Sequence, residues 1–185
     1  IKKEIFLRKD ELEKKTLSSL YFGGGTPSLL SVDEIKSLID EVLKYFDFDK
    51  NIEITLEANP DDLNKNFLKD LAKTEINRLS IGTQSFFEED LQVMNRAHNA
   101  SEAESSIKRA QDFGFENLSI DLIYGSPTSN FQIWKENLQK TIELQVPHVS
   151  SYALTIEPKT ALNALIKKNK ISKPEESTQN KEFYY

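Results

Sequence analysis

Residues 52–60 read Ile52-Glu53-Ile54-Thr55-Leu56-Glu57-Ala58-Asn59-Pro60. Apolar and polar side chains alternate with a period of two, the signature of a strand with two unlike faces. Ile52, Ile54 and Leu56 point one way, and Glu53, Thr55 and Glu57 the other. The strand is expected over Ile52–Leu56, with Glu57 closing it and Pro60 stopping it. Two further stretches repeat the pattern. Around Arg78–Gly82, Leu79 and Ile81 oppose Arg78, Ser80, Gly82 and Gln84. In Leu118–Tyr124, Leu118, Ile120 and Leu122 oppose Ser119 and Asp121. Parallel strands covered by helices on both sides should be apolar on both faces. These strands are apolar on one face only. Burying the other set unpaired would cost about 1–3 kcal/mol for each polar group. A barrel with helices outside and a wet or ligand-filled lumen resolves the conflict. An exposed sheet face, or one covered by another polar domain, is the alternative.

Outward from this stretch, strands and helices alternate. Strands are also expected at Leu17–Phe22 and Val149–Leu154. Helices are expected at Ile1–Lys14, Ser31–Phe46, Leu63–Lys73, Glu88–Asn95, Glu102–Phe113, Phe131–Leu144 and Ala161–Lys168. Ser31 and Glu34 have the spacing of a capping box, and Gly114 closes the helix before it. Strand–loop–helix repeated five times implies a parallel sheet with right-handed crossovers. Either a doubly wound open sheet or a full or partial β/α barrel has that order, and the two-faced strands favour the barrel. The expected class is α/β, with a barrel core over residues 1–169 and a polar segment over 170–185, loose at its start, leading to a further C-terminal domain.

The 185 residues carry 24 basic and 30 acidic side chains, a formal charge of −6. With 38% hydrophobic residues, this is a globular chain with room for a sizeable core, not a disordered or fibrous one. The acidic balance argues against a nucleic-acid partner, which needs a basic face. No apolar run is long enough for a membrane span. There is no cysteine, so this chain can supply neither a disulfide nor a thiolate ligand. The start at Ile1, inside an expected helix, suggests a piece of a longer protein.

Four unusual groups fall at the C-terminal ends of strands, where β/α barrels build their sites. Phe22-Gly23-Gly24-Gly25-Thr26-Pro27 frees the backbone to turn sharply and approach a ligand, or is a plain flexible turn. Glu57 could accept two hydroxyl hydrogen bonds or pair with an ammonium; Asp61 and Asp62 read as helix-start acids. Gln84 would point into the lumen, and Arg96 could clamp a carboxylate or act as a surface ion-pair residue. Asp121 in an apolar strand needs a partner, which is either a ligand or Arg78 across the lumen. His98 and His148 lack metal-ligand spacing and read as structural, and Trp134 reads as core. Together the four groups suit a polar ligand with ammonium, carboxylate and hydroxyl groups.

At these residues the chain resembles the oxygen-independent coproporphyrinogen III oxidase family of radical S-adenosylmethionine (SAM) enzymes, including its heme-chaperone branch. The resemblance rests on YFGGGTPSLLS (Tyr21–Ser31), LEANPDD (Leu56–Asp62), NRLSIGTQSF (Asn77–Phe86), NRAH (Asn95–His98), IDLIYGSP (Ile120–Pro127) and SYALTIEPKT (Ser151–Thr160). These cover roughly Leu17–Thr160 in order. The resemblance implies a partial (β/α) barrel of radical SAM type with five of six strands present. It implies that Gly24, Gly25 and Thr26 meet the methionine end of SAM, that Glu57 matches a SAM-binding acid, and that Gln84, Arg96 and Asp121 contact SAM, in the oxidase a second molecule. It implies a [4Fe-4S] cluster, heme or porphyrin as cargo or substrate, oxidoreductase chemistry, and a cytoplasmic location. The segment YALTIEP looks closer to the heme-chaperone branch. The cluster-binding CxxxCxxC motif is absent, so this chain is expected to be inactive by itself and to bind SAM weakly at best. A heme carrier without oxidase activity and a metal-free β/α-barrel enzyme are the competing readings.

Overall fold

The computed structural model describes residues 1–13 and 15–185. Its elements run α1 (Lys2–Arg8), β1 (Thr16–Phe22), α2 (Val32–Leu43), β2 (Asp47–Ala58), α3 (Lys65–Leu71), β3 (Arg78–Gln84) and α4 (Glu88–Val93). They continue α5 (Ala100–Asp112), β4 (Leu118–Tyr124), α6 (Phe131–Glu143), β5 (His148–Ala153), α7 (Ala161–Lys167) and α8 (Glu176–Phe183). Single 3-10 turns occupy Pro27–Leu29 and Pro60–Asp62.

The strands form one sheet in the order β1-β2-β3-β4-β5, and every neighbouring pair is parallel. A doubly wound sheet reverses its strand order partway, so that helices cover both faces. Here the order never reverses. Right-handed crossovers then place every connecting helix on the same side, and the sheet curls into a partial β/α barrel.

That single covered side is the core. Ile54, Leu56, Leu79, Ile81, Leu118, Ile120 and Leu122 are fully buried from the sheet. Ile35 and Ile39 of α2, Leu68 and Leu71 of α3, Ile107 of α5 and Trp134 of α6 meet them in one cluster. Helix α2 begins with the expected capping box: the Ser31 hydroxyl accepts from Glu34 N–H, and the Glu34 carboxylate accepts from Ser31 N–H. A second box, unread in the sequence, opens α5 through Asn99 and Glu102. Gly114 ends α5 with φ +90°, which an L side chain rarely adopts.

Three elements differ from the expectations. Helix α1 ends at Arg8, because the residues beyond it offer no apolar face to bury; the expected end at Lys14 lies outside the described residues. Strand β2 starts at Asp47, since Asp47 and Phe48 pair with Thr16 and Leu17 of β1 before a register break. Helix α8 arises from the polar segment Glu176–Phe183. It is held by hydrogen bonds: Gly125 N–H donates to Glu182 Oε2 at 2.8 Å, and Trp134 Nε1–H donates to Glu182 O at 3.1 Å. A helix docked by polar groups carries no apolar periodicity to read. Among the described residues, no helix is long and apolar enough to cross a membrane.

Replacing Leu56 (0% exposed) by alanine should cost about 2–5 kcal/mol in urea denaturation. Replacing Leu29 (74% exposed) should change stability by no more than about 0.5 kcal/mol. Equal losses at the two positions would contradict this placement of the core.

Candidate functional site

The uncovered face of the sheet carries the other half of each alternating strand. At its C-terminal rim, β1 runs into the glycine turn. Gly24 and Gly25 have φ +80° and +65°, and a β-carbon on either would meet nothing within 4 Å. These two are glycines for backbone conformation, not for room. Gly24 N–H donates to Glu57 Oε2 at 3.0 Å, and Tyr21 Oη–H donates to Glu57 Oε1 at 2.9 Å. The turn is anchored further on. Ser28 Oγ–H donates to Asp62 Oδ2 at 2.6 Å and accepts from Asn59 N–H at 3.3 Å. The first turn and the end of β2 are thus fastened together before any ligand arrives.

The end of β3 is irregular. Its register with β4 shifts between Ile81 and Gln84, and Gln84 lies at φ +66°. Such a bulge re-aims a side chain at a strand end. Gly82 is small for a spatial reason: a β-carbon there would sit 3.2 Å from Gln84 Nε2 and 3.4 Å from an Arg96 terminal nitrogen. Arg96 therefore reaches over Gly82. Its guanidinium donates to Asn59 Oδ1 at 2.9 Å and to Gly82 O at 3.4 Å. Arg96 Nε is buried and has no partner, and among the described residues no carboxylate lies within ion-pair distance of Arg96. The surface ion-pair role is thereby excluded. Burial works against the Arg96 charge, and Asp61 and Asp121 support it.

Asp121 faces the same space from β4. Burial raises its pKa first and Glu57 raises it further; Arg78, His148 and a hydrogen bond from Ser150 act in the opposite direction. The alternative of a direct Arg78–Asp121 salt bridge is not what forms. Arg78 Nε lies 3.8 Å from Glu53 Oε2, and its terminal nitrogen donates to Thr55 Oγ1 at 3.3 Å. The histidines line no part of the cavity, although His148 acts on Asp121 through space. His98 is buried with Nε2 3.0 Å from Thr83 O, and burial lowers its pKa. His148 Nδ1 is 2.7 Å from Ser119 Oγ.

A cavity of about 190 Å³ collects these groups. Gly25, Thr26, Glu57, Gln84, Arg96 and Asp121 all line it, and Gly24 joins through its bond to Glu57. Asn59, Ser80 and Gly82, which the sequence places at the strand ends or on the polar face but to which it assigns no contact, line it as well. Asn59 had a signal: an amide two residues past a strand-end acid, inside a motif already noted. The cavity offers two carboxylates, one guanidinium, an amide pair and two hydroxyls, those of Thr26 and Ser80. That set can hold a ligand with a positive centre, a carboxylate and hydroxyls. It does not suit an iron–sulfur cluster, which takes thiolates. The chain has no cysteine, and among the described residues no three His, Cys, Asp or Glu side chains gather as a metal site.

The description "Radical SAM superfamily" matches residues 2–141, and the chain belongs to that superfamily. It is 43% identical over 152 residues to the heme chaperone HemW of Haemophilus influenzae, covering 82% of this chain and 40% of that protein. It is 39% identical over 150 residues to the heme chaperone HemW of Lactococcus lactis, covering 81% and 39%. Among solved structures, coproporphyrinogen III oxidase (HemN) of Escherichia coli, a radical SAM enzyme, superposes with a TM-score of 0.82 at 26% identity, covering 99% of this chain and 42% of that one. The chain thus spans about two fifths of the length of these relatives.

The Asp121 environment makes a pH prediction. An acid whose pKa is higher folded than unfolded stabilises the fold most below its unfolded pKa, and that contribution is lost as pH rises through the folded pKa. Ionised Asp121 is therefore a net cost at neutral pH. Asp121→Asn should raise the melting temperature there, and the gain should vanish as pH falls into the ordinary carboxylate range. Thermal melts across pH check this; a lower melting temperature at neutral pH would refute it.

Proposed function

We propose that the strand-end cavity binds S-adenosylmethionine, and that the chain serves a cytoplasmic heme-handling protein on the heme-chaperone side of its superfamily. The observation that carries the reading is the cavity itself. Six of the seven side chains and turn residues expected to contact SAM line one space, and the seventh bonds to Glu57. The fit is supported by the Arg96 guanidinium, which lines the cavity with no carboxylate in ion-pair reach among the described residues, and by the room that Gly82 leaves beneath it.

The roles follow from chemistry. Gly24, Gly25 and Thr26 present backbone groups to the amino-acid end of the ligand. Glu57 accepts hydroxyl hydrogen bonds. Gln84 and Arg96 offer donors to carboxylate or ring acceptors, and Asp121 with Glu57 gives negative potential that favours a cationic centre. Bound SAM supplies a sulfonium whose reductive cleavage is the superfamily's chemistry. The cluster that would deliver the electron finds no thiolate ligand in this chain.

Heme as cargo is supported by the names of the relatives at 43% and 39% identity. Porphyrinogen decarboxylation, the second reading, is favoured by the overlay on the oxidase at 26% identity. Hemin titration separates them: a carrier shifts the Soret band on binding, and the anaerobically reconstituted whole protein yields no decarboxylated porphyrin. Appearance of that product would favour the oxidase.

For SAM, a titration followed by amide NMR should show weak binding, with a Kd of about 1 mM. Glu57→Ala and Gln84→Ala should each weaken it about tenfold. Unchanged affinity in both variants would remove the site assignment.

A further inference from the structure

The first glycine of the turn does not behave like the other two. Gly24 and Gly25 have positive φ and open space around them; Gly23 has neither. A β-carbon on Gly23 would lie 2.7 Å from Tyr21 Cε1, 3.0 Å from Tyr21 Cδ1 and 3.1 Å from Glu57 Oε1. The tyrosine ring and the glutamate carboxylate thus pass across the backbone of Gly23, and they meet there in the 2.9 Å hydrogen bond. Any side chain at this position pushes the ring away and opens that bond.

Tyr21 stands on β1, at the edge of the sheet, with about half its surface exposed. An exposed tyrosine at a sheet edge needs no special explanation. Its hydroxyl, however, is turned inward to the carboxylate that closes the neighbouring strand. Ser80 and Asp121 also face it from β3 and β4. Burial, and then the bond to Glu57, raise the Tyr21 pKa, so the hydroxyl keeps its proton and remains a donor throughout the neutral range. With Gly24 N–H on the other oxygen, each oxygen of Glu57 holds one donor from the protein. A carboxylate has about four acceptor positions. One remains open on each oxygen, in a fixed orientation.

We infer that Tyr21 is a positioning residue: across the bare backbone of Gly23 it clamps Glu57, so that the two free acceptor positions face the cavity as a pre-set pair for two neighbouring hydroxyls, the chemistry of a ribose. This rests on the reading of the cavity as a SAM site and adds two residues to it. Preorganisation of this kind acts by removing the ordering cost of the glutamate on binding. Tyr21 acts through Glu57, and Gly23 acts by having no side chain.

The test compares the chain with Tyr21→Phe, Glu57→Ala and the double variant, titrated with SAM and followed by amide NMR. Tyr21→Phe keeps the ring and removes only the donor. It should weaken binding about tenfold, the range for one charge-assisted hydrogen bond. In the Glu57→Ala background the same change should have no further effect, because a residue that acts through another is non-additive with it. Unchanged affinity in Tyr21→Phe, or a loss that simply adds to that of Glu57→Ala, would overturn the inference.

A second readout needs no ligand. The Gly24 amide proton, bonded to the carboxylate, should move upfield in Tyr21→Phe and in Gly23→Ala as the clamp loosens. An unmoved resonance in both overturns the clamp whether or not SAM binds. If the clamp behaves as stated and the unmodified chain shows no SAM-dependent shifts, the SAM reading fails, and the ribose assigned to the clamp fails with it.

Discussion

Each strand of this sheet lies beside the one before it, always on the same side, and from that constraint the rest follows. With right-handed crossovers, an unreversed strand order sends every connecting helix to one face. The other face receives no helix, so it can keep polar side chains that a doubly covered sheet would exclude. The apolar positions Ile54, Leu56, Leu79 and Ile81 pack outward against helices, and Glu57, Ser80, Gln84 and Asp121 are left facing a common hollow. Stability and chemistry are divided between the two faces of the same strands.

The hollow is organised electrostatically as well as sterically. Glu57 and Asp121 are close enough for one to raise the pKa of the other, and Arg96 sits near them without an ion-pair partner. Holding Asp121 beside Glu57 disfavours the Asp121 charge. Among the described residues Arg96 bonds the Asn59 amide and the Gly82 carbonyl and no carboxylate, which leaves donor capacity unspent. A zwitterion with a positive centre would relieve both conditions at once. The fixed parts are the turn and the strand end: Ser28, Asp62, Asn59, Gly24 and Tyr21 join them by hydrogen bonds made without a ligand.

Much of this was legible in the sequence, and the reasons are specific. Period-two alternation at residues 52–57 and 118–124 marks faces directly, so the barrel and the convergence of Glu57, Gln84 and Asp121 could be read from one chain. Strand-end position told which of several acids mattered. What could not be read is pairing, because partners depend on register between strands. Arg96 takes the amide of Asn59, 37 residues away, and Arg78 takes Glu53 and Thr55 in place of Asp121. Nothing in the sequence marks Tyr21 for a role at the site, since only the fold brings Glu57 within reach of its hydroxyl. Helix α8 was missed because polar bonds to Gly125 and Trp134 hold it, and a polar stretch has no periodic face.

The most direct measurement is the structure of the chain soaked with S-adenosylmethionine or with S-adenosylhomocysteine, its thioether analogue without the sulfonium charge. The account predicts density for the nucleoside between Glu57 and Asp121, with the amino-acid end against the Gly24–Thr26 turn. Density in another cavity, such as the apolar groove between α1 and β1 lined by Ile5, Leu17 and Phe46, would contradict it.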